Sequence, residues 1–282
     1  MTGRSLPTAA DLREAARVAA SALTWDGAEA PALVSRLSQP PPGRRWTAVV
    51  EDEGVVFASL SEREPGVGHI DLLAVHPDAQ GKGRGRALVG AAEEWLRAQG
   101  ATQARMAGNP PCYAWPGIDV RYTPAAALAE RLGYDRYRIA WNMTADLSLD
   151  LHDDLGELAA QGVTVGSGER ERVAAFVREH WNEAWAWEAE NATGLHHAER
   201  DGRILAFAAW GARPAWFGPM GTAPQAQGLG LGRVLLRRCL AEQRDAGQRE
   251  SQIGWVGPLR FYSRAVGARV ERVFWLYRRE LV

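Results

Sequence analysis

The chain has 282 residues, of which 46% are apolar and 24% are charged, and its net charge is −1. This length and composition predict two globular domains with substantial cores. The near-zero charge and the dispersed arginines argue against a nucleic-acid partner. The chain contains neither an apolar run of about 18 residues nor a signal-peptide pattern at its start, so we expect no membrane partner and a cytoplasmic location.

The two cysteines give no indication of a metal centre. Cys112 and Cys239 lie far apart in the chain, and neither belongs to a pattern with the spacing of metal ligands. We therefore predict no bound metal.

The first half of the chain begins with a helix and continues into strands. Thr8 and Asp11 have the spacing of a helix-capping pair, which predicts a helix that ends near Ala22. Apolar periodicity and turn residues predict the elements that follow. In order, these are a helix at 30–37, a hairpin at 46–50 and 55–60, a strand at 69–75, a helix between Gly85 and Gly100, a strand at 103–107, a loop at 110–123, a helix at 124–132 and a strand at 134–147.

The second half repeats this order after an acidic, weakly patterned segment at 148–162, which we interpret as a linker. A hairpin is predicted around Asp201-Gly202, because this pair favours a type I′ turn. We predict two domains, at residues 1–150 and 160–282. The other predicted elements are a helix at 169–180, a strand at 216–222, a helix between Gly232 and Gly247, a strand at 251–256, a helix at 258–266 and a strand at 269–281.

A glycine pattern, Gln-x-x-Gly-x-Gly, occurs once in each half between a predicted strand and a predicted helix. The first copy lies in Pro77–Arg86 and the second in Pro224–Arg233, 147 residues later. Glycine lets backbone N–H groups approach an anion closely. The first turn of the following helix adds unpaired N–H groups and a positive dipole end. Each copy therefore predicts a phosphate or pyrophosphate site.

Two other phosphate motifs fit these residues less well. A Walker A loop requires Ser or Thr after Gly-Lys, but Gly83 follows Gly81-Lys82. A dinucleotide-binding fingerprint requires a third small residue where Leu88 and Leu235 stand. A nucleotide-binding enzyme is therefore the less favoured interpretation.

Both copies resemble the pyrophosphate loop of the GCN5-related N-acetyltransferases (GNATs), and the resemblance covers nearly the whole chain as two tandem copies. It implies the α/β class, with a mixed and mainly antiparallel sheet and helices on both faces, and it implies acetyl-CoA as the acetyl donor. The residues that the resemblance assigns to acetyl-CoA lie in the two loops, in the strands before them and at one later position. They are Leu73, Val75, Gln80, Gly81, Lys82, Gly83, Arg84, Gly85, Arg86, Asn109, Met220, Thr222, Gln227, Gly228, Leu229, Gly230, Leu231, Gly232 and Arg233.

The resemblance also implies two catalytic positions. In the family, the strand before the loop often carries a base, at a position taken here by His69 and in the second repeat by Trp216. Asp71 and His69 both lie an even number of residues from Val75, so strand alternation predicts that they share a face. The late helix of the family carries a tyrosine that protonates the departing thiolate, and Tyr262 matches it in the second repeat.

These catalytic assignments leave other interpretations open. His69 and Asp71 are also compatible with a pair of strand residues that bond each other, and Tyr262 with core packing. The first repeat has Ala129 at the tyrosine position, and Tyr122 is a candidate substitute upstream. We favour the second repeat as the active one, because water replaces a missing base more readily than a missing thiolate partner. This predicts that Tyr262→Phe lowers the rate by about 10²–10⁴.

The sequence thus predicts an acyltransferase that moves an acetyl group from acetyl-CoA to a primary amine of a small molecule or peptide. The alternative is a scaffold or sensor that binds coenzyme A without turnover in one or both halves. Possible surfaces for the amine are the tryptophan-rich segment 181–188 and the loop residues 119–122. The acceptor and the oligomeric state stay open.

Overall fold

A computed structural model describes residues 6–153 and 155–281. The chain divides into two compact units. Unit 1 contains the described residues of 1–140 and 273–282, and unit 2 contains those of 141–272. Each unit has a mixed sheet with helices on both faces, which confirms the predicted fold class. No helix in the described ranges is both long enough and apolar enough to cross a bilayer.

Unit 1 begins with the helix that the capping pair predicts. Thr8 accepts a hydrogen bond from the Asp11 backbone, and the Asp11 side chain accepts one from the Thr8 backbone. The described residues of this unit form four α-helices and five complete strands, together with parts of two longer strands. They are α1 (Ala9–Ala22), α2 (Ala30–Leu37), β1 (Trp46–Glu51), β2 (Gly54–Leu60), β3 (Val67–Val75), α3 (Arg84–Ala98), β4 (Gln103–Met106), β5 (Ile118–Asp119), α4 (Thr123–Arg131) and the start of β6 (Asp135–Asp146).

The sheet of unit 1 has the order β1-β2-β3-β4-β12, where β12 spans Arg269–Glu280. The pairs β1·β2, β2·β3 and β4·β12 are antiparallel, and β3·β4 is parallel. Apolar side chains pack on both faces. One core lies under α3 and α4 and includes Leu88 and Leu96, and the other lies under α1 and α2 and includes Leu33 and Phe57.

Unit 2 repeats this arrangement. Its sheet has the order β7-β8-β9-β10-β11-β6, in which β10·β11 is the parallel pair. The predicted hairpin turn is confirmed, since Asp201 and Gly202 both have positive φ values, 51° and 73°. The elements are α5 (Gly156–Ala160), β7 (Val163–Ser167), α6 (Arg170–His180), α7 (Glu183–Glu190), β8 (Gly194–Arg200), β9 (Arg203–Trp210), β10 (Trp216–Thr222), α8 (Leu231–Asp245), β11 (Glu250–Ile253) and α9 (Leu259–Val266).

The last strand of the first sequence repeat, β6, pairs in the sheet of unit 2. The last strand of the second repeat, β12, pairs in the sheet of unit 1. Met143 to Asp146 of β6 pair with β11 in unit 2, and Tyr277 to Glu280 of β12 pair with β4 in unit 1. The compact units therefore differ from contiguous halves of the chain. The segment predicted as a linker, 148–162, contains the short helix α5, and residue 154 within it lies outside the described ranges.

Candidate active site

The two glycine loops have the same backbone shape. Gly81 and Gly83 have φ values of +73° and +85°, and Gly228 and Gly230 have +87° and +79°. A Cβ atom placed on any of these four glycines would meet nothing within 4 Å. The glycines are therefore required by the left-handed backbone and not by crowding. The space in front of each loop is open to a ligand.

Both loops lead into a helix whose first turn lacks a side-chain cap. Gly83 is the N-cap of α3 and Gly230 is the N-cap of α8, and neither helix start receives a side-chain hydrogen bond within the described ranges. The first N–H groups of such a helix require an outside acceptor, and its positive dipole end favours an anion. The two loops therefore fit the diphosphate of coenzyme A.

Most polar side chains of the first loop make contacts within the protein, and one lines a cleft. Gln80 donates from Nε2 to the Val75 carbonyl at 3.0 Å, which ties the loop to the end of β3. Lys82 donates to the Asp78 carbonyl. Arg84 forms ion pairs with Glu53 at 2.6 Å and with Glu51 at 3.4 Å. Arg86 is exposed and lines a cleft of unit 1. Of the arginines in this loop, Arg86 is the better placed for a phosphate.

The cleft of unit 1 has a volume of about 830 Å³ and lies beside the first glycine loop. β3 pairs with β4 at Val67 to His69. The cleft lies next to the later part of β3, beyond this pairing, and its other walls include the end of α1 and residues of α4. Its walls include the predicted acetyl-CoA positions on β3 and in the loop. These are Leu73, Val75, Gln80, Gly81, Gly83, Gly85 and Arg86.

A β-bulge in β3 sets the direction of Asp71. Phe57 pairs with Leu72 and Ala58 pairs with Ile70, so Asp71 is an extra residue in the ladder. Side-chain alternation breaks there, because Ile70 packs under α3 and α4 whereas Leu72 packs under α1 and α2. The bulge therefore interrupts the parity between Val75 and the residues before it. The common face predicted for Asp71 and His69 stays a prediction, and it is supported by Ser59, which pairs with His69 in the ladder and hydrogen-bonds Asp71.

Asp71 lines the cleft and is the more suitable of the two candidate bases. Burial raises the pKa of Asp71 to about 7, against the opposing effects of a hydrogen bond from Ser59 and the charge of Arg44. Ser59 in turn accepts a hydrogen bond from Asn109 Nδ2 at 2.8 Å. The Asp71 Oδ1 atom is buried and has no hydrogen-bond partner in the described ranges. A carboxyl group with a pKa near neutrality can take and release a proton at pH 7.

His69 lies in a different environment from Asp71. Its side chain is buried, and Nδ1 donates to the Ala107 carbonyl at 2.9 Å. Burial lowers the pKa of His69 to about 4, with the Ala107 hydrogen bond acting in the opposite direction. The imidazole is thus neutral at pH 7, and it is a weaker base than Asp71. Its role as a base stays a prediction.

The Asn109 side chain also forms hydrogen bonds inside the protein. Its side chain is 2% exposed and donates to Ser59 and to the Leu60 carbonyl. It supports the hydrogen-bond network beneath Asp71. Its predicted contact with the donor stays a prediction.

Unit 2 has different side chains at the equivalent places. Gly218 stands where Asp71 stands in unit 1, 147 residues earlier. Trp216 is 2% exposed, and the Arg213 guanidinium lies 3.9 Å from its ring centre. Tyr262 is 7% exposed and packs edge-on against Phe217 at 6.3 Å. Burial raises the pKa of the Tyr262 phenol above its usual range. Its role as an acid stays a prediction.

The two candidate acceptor surfaces also differ. Trp181 and Trp185 of the tryptophan-rich segment pack against Phe207 in the core of unit 2. Asp119, Arg121 and Tyr122 line the cleft of unit 1.

Three cleft features escaped the sequence analysis. They are the bulge, the Ser59 contact and the indole of Trp115, which also lines the cleft. The extra residue of a bulge depends on cross-strand pairing, which one strand does not encode by itself.

Comparisons with known proteins agree with this geometry. The profile of the Acetyltransferase (GNAT) family matches residues 11–134 and 166–266. A protein of Thermomonospora curvata named mycothiol acetyltransferase is 33% identical over 229 residues, covering 73% of this chain and 71% of that protein. A protein of the same name from Salinispora arenicola is 33% identical over 144 residues, covering 50% of this chain and 42% of that protein.

Solved structures show the same fold. A tandem GNAT protein from the clavulanic acid biosynthesis pathway aligns with a TM-score of 0.70 at 20% identity, covering 98% of each chain. A GCN5-related glucosamine N-acetyltransferase region of a fungal multi-domain β-N-acetylglucosaminidase aligns with a TM-score of 0.72 at 19% identity. That alignment covers 95% of this chain and 37% of the fungal one.

Proposed function

The chain belongs to the acetyltransferase (GNAT) family, and we propose that it transfers an acetyl group from acetyl-CoA to the primary amine of a small molecule in the cleft of unit 1. The observation that carries this proposal is the position of Asp71. Its carboxyl group, with a pKa raised to about 7, lines the same cleft as the uncapped glycine loop. The cleft thus combines a diphosphate site with a base.

The loop of unit 1 would hold the donor through its main chain. The amides around Gly81 and Gly83 and the first turn of α3 would bind the diphosphate, and Arg86 would add a positive charge. Acetyl-CoA, when bound, supplies an activated acetyl group as a thioester. By resemblance to the family, the backbone amides of Leu73 to Val75 would stabilise negative charge on the carbonyl oxygen.

Asp71 would prepare the amine for attack. A primary amine such as that of lysine has a pKa near 10.4, so at pH 7 it is almost entirely protonated and cannot act as a nucleophile. The carboxylate of Asp71 would accept a proton from the bound ammonium group. Ser59, which donates a hydrogen bond to Asp71, would hold the carboxylate in position. General-base assistance of this kind contributes about 10²–10⁴ in rate.

The pKa of Asp71 sets the expected dependence on pH. The carboxyl group acts as a base only when deprotonated, and it is half deprotonated at about pH 7. We therefore expect kcat/KM to rise with pH up to about 7 and to level off above it, until the acceptor or donor titrates. The sequence alone favoured unit 2 as the active half. The environments of Asp71 and Tyr262 support unit 1 instead.

The test is amine-dependent release of thiol from acetyl-CoA by the full-length chain. Amines related to mycothiol head the acceptor panel, because two relatives carry that name. Thiol release that requires both protein and amine supports the proposal. A scaffold or sensor would instead be stabilised by coenzyme A, by about 2.7 kcal/mol at 100 times its Kd, without releasing thiol against any amine. That pattern would overturn the proposal.

A further inference from the structure

Helix α4 of unit 1 packs against the start of α3, the helix that follows the first glycine loop. A Cβ atom placed on Gly85 would lie 3.0 Å from the Cδ2 atom of Leu128. Gly85 stands in the first turn of α3, Leu128 belongs to α4, and both residues line the unit 1 cleft. Helix α4 therefore forms a wall of the cleft beside the proposed diphosphate site.

Arg131 extends this wall. It follows Leu128 by three residues, in the last turn of α4, so the two side chains share a face of the helix. Arg131 is exposed and lines the same cleft as Gly85 and Arg86. The proposed function gives a role to Arg86 and none to Arg131.

The arginines of the cleft differ in whether a carboxylate already holds them. Arg121 forms an ion pair with Asp119, in which Nη2 and Oδ2 are 2.7 Å apart. Within the described ranges, Arg86 and Arg131 form neither an ion pair nor a side-chain hydrogen bond. A guanidinium group stays charged at neutral pH and presents N–H donors in a planar fork that matches phosphate oxygens. Two helices of the cleft, α3 and α4, thus each present an arginine that can bind a phosphate group.

The positions along α4 show which end of the cleft Arg131 occupies. Tyr122 is the N-cap residue of α4, and its hydroxyl donates to Asp26 at 2.9 Å and accepts from the Trp25 backbone at 3.0 Å. Leu128 contacts the start of α3 further along the helix. Arg131 lies beyond this contact by about 4.5 Å of helix rise. It is therefore separated by the loop contact from Tyr122, which belongs to the candidate acceptor surface.

The groups of coenzyme A follow a corresponding order. The diphosphate lies between the pantetheine arm, which carries the acetyl group, and an adenosine that bears a phosphate monoester on its 3′ oxygen. Such a monoester has a charge of about −1.5 to −2 at pH 7. In the proposed function, the loop amides and Arg86 bind the diphosphate and leave the 3′-phosphate without a counter-charge. Arg131 supplies a positive charge at the end of the cleft away from the acceptor.

We propose that Arg131 binds the 3′-phosphate of coenzyme A, and that unit 1 thereby selects CoA thioesters over their 3′-dephospho forms. The proposal rests on the proposed function for the identity of the donor, and it adds a binding residue and a selectivity to that site. An arginine in the last turn also stabilises a helix through the helix dipole. That structural role affects the binding of both forms equally, whereas a contact with the 3′-phosphate affects only one.

The test is isothermal titration of the full-length chain with coenzyme A and with 3′-dephospho-CoA. Every chain carries Gly230→Asp, which places a carboxylate in the second loop and repels a diphosphate there, so that only the unit 1 site is titrated. We expect Kd for coenzyme A to be about tenfold lower than Kd for the dephospho form, because one charge-assisted contact is added. Arg131→Ala is expected to reduce this preference to within about twofold by weakening the binding of coenzyme A alone.

Unit 2 provides a matched control. A Cβ atom placed on Gly232 would lie 3.3 Å from the ring of Phe261, and Arg264 follows Phe261 by three residues in the last turn of α9. Arg264→Ala removes this equivalent arginine and is expected to leave the preference for coenzyme A unchanged. Arg131→Lys keeps the positive charge and is expected to retain part of the preference.

The possible outcomes distinguish this proposal from the proposed function. An unchanged preference in Arg131→Ala, or an equal loss of affinity for both ligands, overturns the assignment of Arg131. A reference chain that binds both ligands equally well also overturns it. The expected binding pattern without amine-dependent release of thiol supports the assignment of Arg131 and overturns the proposed function. A chain that binds neither ligand overturns both.

Discussion

The two units share the backbone shape of their glycine loops and differ in the side chains on the strand before each loop. The glycine loops have nearly the same φ values, and each leads into a helix of 15 residues without a side-chain cap in the described ranges. Asp71 stands at the bulge of unit 1, whereas Gly218 stands at the corresponding place in unit 2. A neighbouring position also loses its titratable side chain in unit 2, since His69 of unit 1 corresponds to the buried Trp216.

This difference separates two requirements of the proposed reaction. Binding of a diphosphate depends on main-chain N–H groups, which any sequence with glycines at the right places can supply. Proton transfer depends on a side chain, and one residue is enough to supply it or remove it. A tandem protein can therefore keep two donor sites of the same shape while only one of them has a base on its strand.

The largest effect is expected from Asp71→Asn. The amide has nearly the same shape and can still bond Ser59, but it cannot accept a proton at neutral pH. We expect kcat to fall by about 10²–10⁴ and the rise of kcat/KM with pH near 7 to disappear. The measurement is thiol release between pH 5.5 and 9. A loss of less than about threefold would show that Asp71 is not the base.

A smaller effect is expected from alanine in the glycine loops, and it tests each unit separately. Gly83→Ala forces a Cβ atom into a left-handed conformation at +85°, which costs about 1–2 kcal/mol. We expect KM for acetyl-CoA to rise about tenfold. The matched control is Gly230→Ala in unit 2, where φ is +79°. If the control raises KM for the reaction as much as Gly83→Ala does, the assignment of transfer to unit 1 is contradicted.

A pair of arginine variants refines the comparison within the first loop. Arg86 lines the cleft, whereas Arg84 is held by Glu51 and Glu53. We expect Arg86→Ala to raise KM for acetyl-CoA by about three- to tenfold, since one exposed charge–phosphate contact is lost. Arg84→Ala should change it by less than about twofold. The reverse order would mean that Arg84 leaves its carboxylates when the donor binds.

The smallest effect is expected from Tyr262→Phe. The ring packs against Phe217 and Phe261 at 6.3 Å and 5.0 Å, and phenylalanine preserves both contacts. With transfer in unit 1, kcat for thiol release should stay within about twofold. The loss of about 10²–10⁴ that the sequence alone predicted would instead show that unit 2 performs the transfer.

Local patterns in the sequence predicted the elements well, because their causes are local. The Thr8–Asp11 capping pair, the Asp201-Gly202 turn and the two glycine loops each depend on a few neighbouring residues. The surroundings of Asp71 depend on more distant partners. The bulge requires the pairing of β3 with β2, and the raised pKa requires burial that the whole unit creates.

Trp115 illustrates the same limit. Its buried Nε1 atom has no hydrogen-bond partner in the described ranges, and only the assembled fold shows which atoms are left without one. The division of the chain into units has a similar cause. Pairing of β12 with β4 joins residues more than 170 positions apart, as the contact between Gln103 and Glu280 shows with a separation of 177.

The exchange of the last strands has a consequence for biosynthesis. The ribosome produces the first 140 residues of unit 1 before unit 2, yet β4 acquires its antiparallel neighbour from residues 277–280, which are translated near the end of the chain. Until then β4 exposes an unpaired edge, a surface that promotes aggregation. Unit 2, by contrast, receives its borrowed strand, β6, before the rest of its sheet is made. The nascent chain thus completes its second sheet before its first, and a gene fragment that stops after residue 150 would encode a sheet that lacks its last strand.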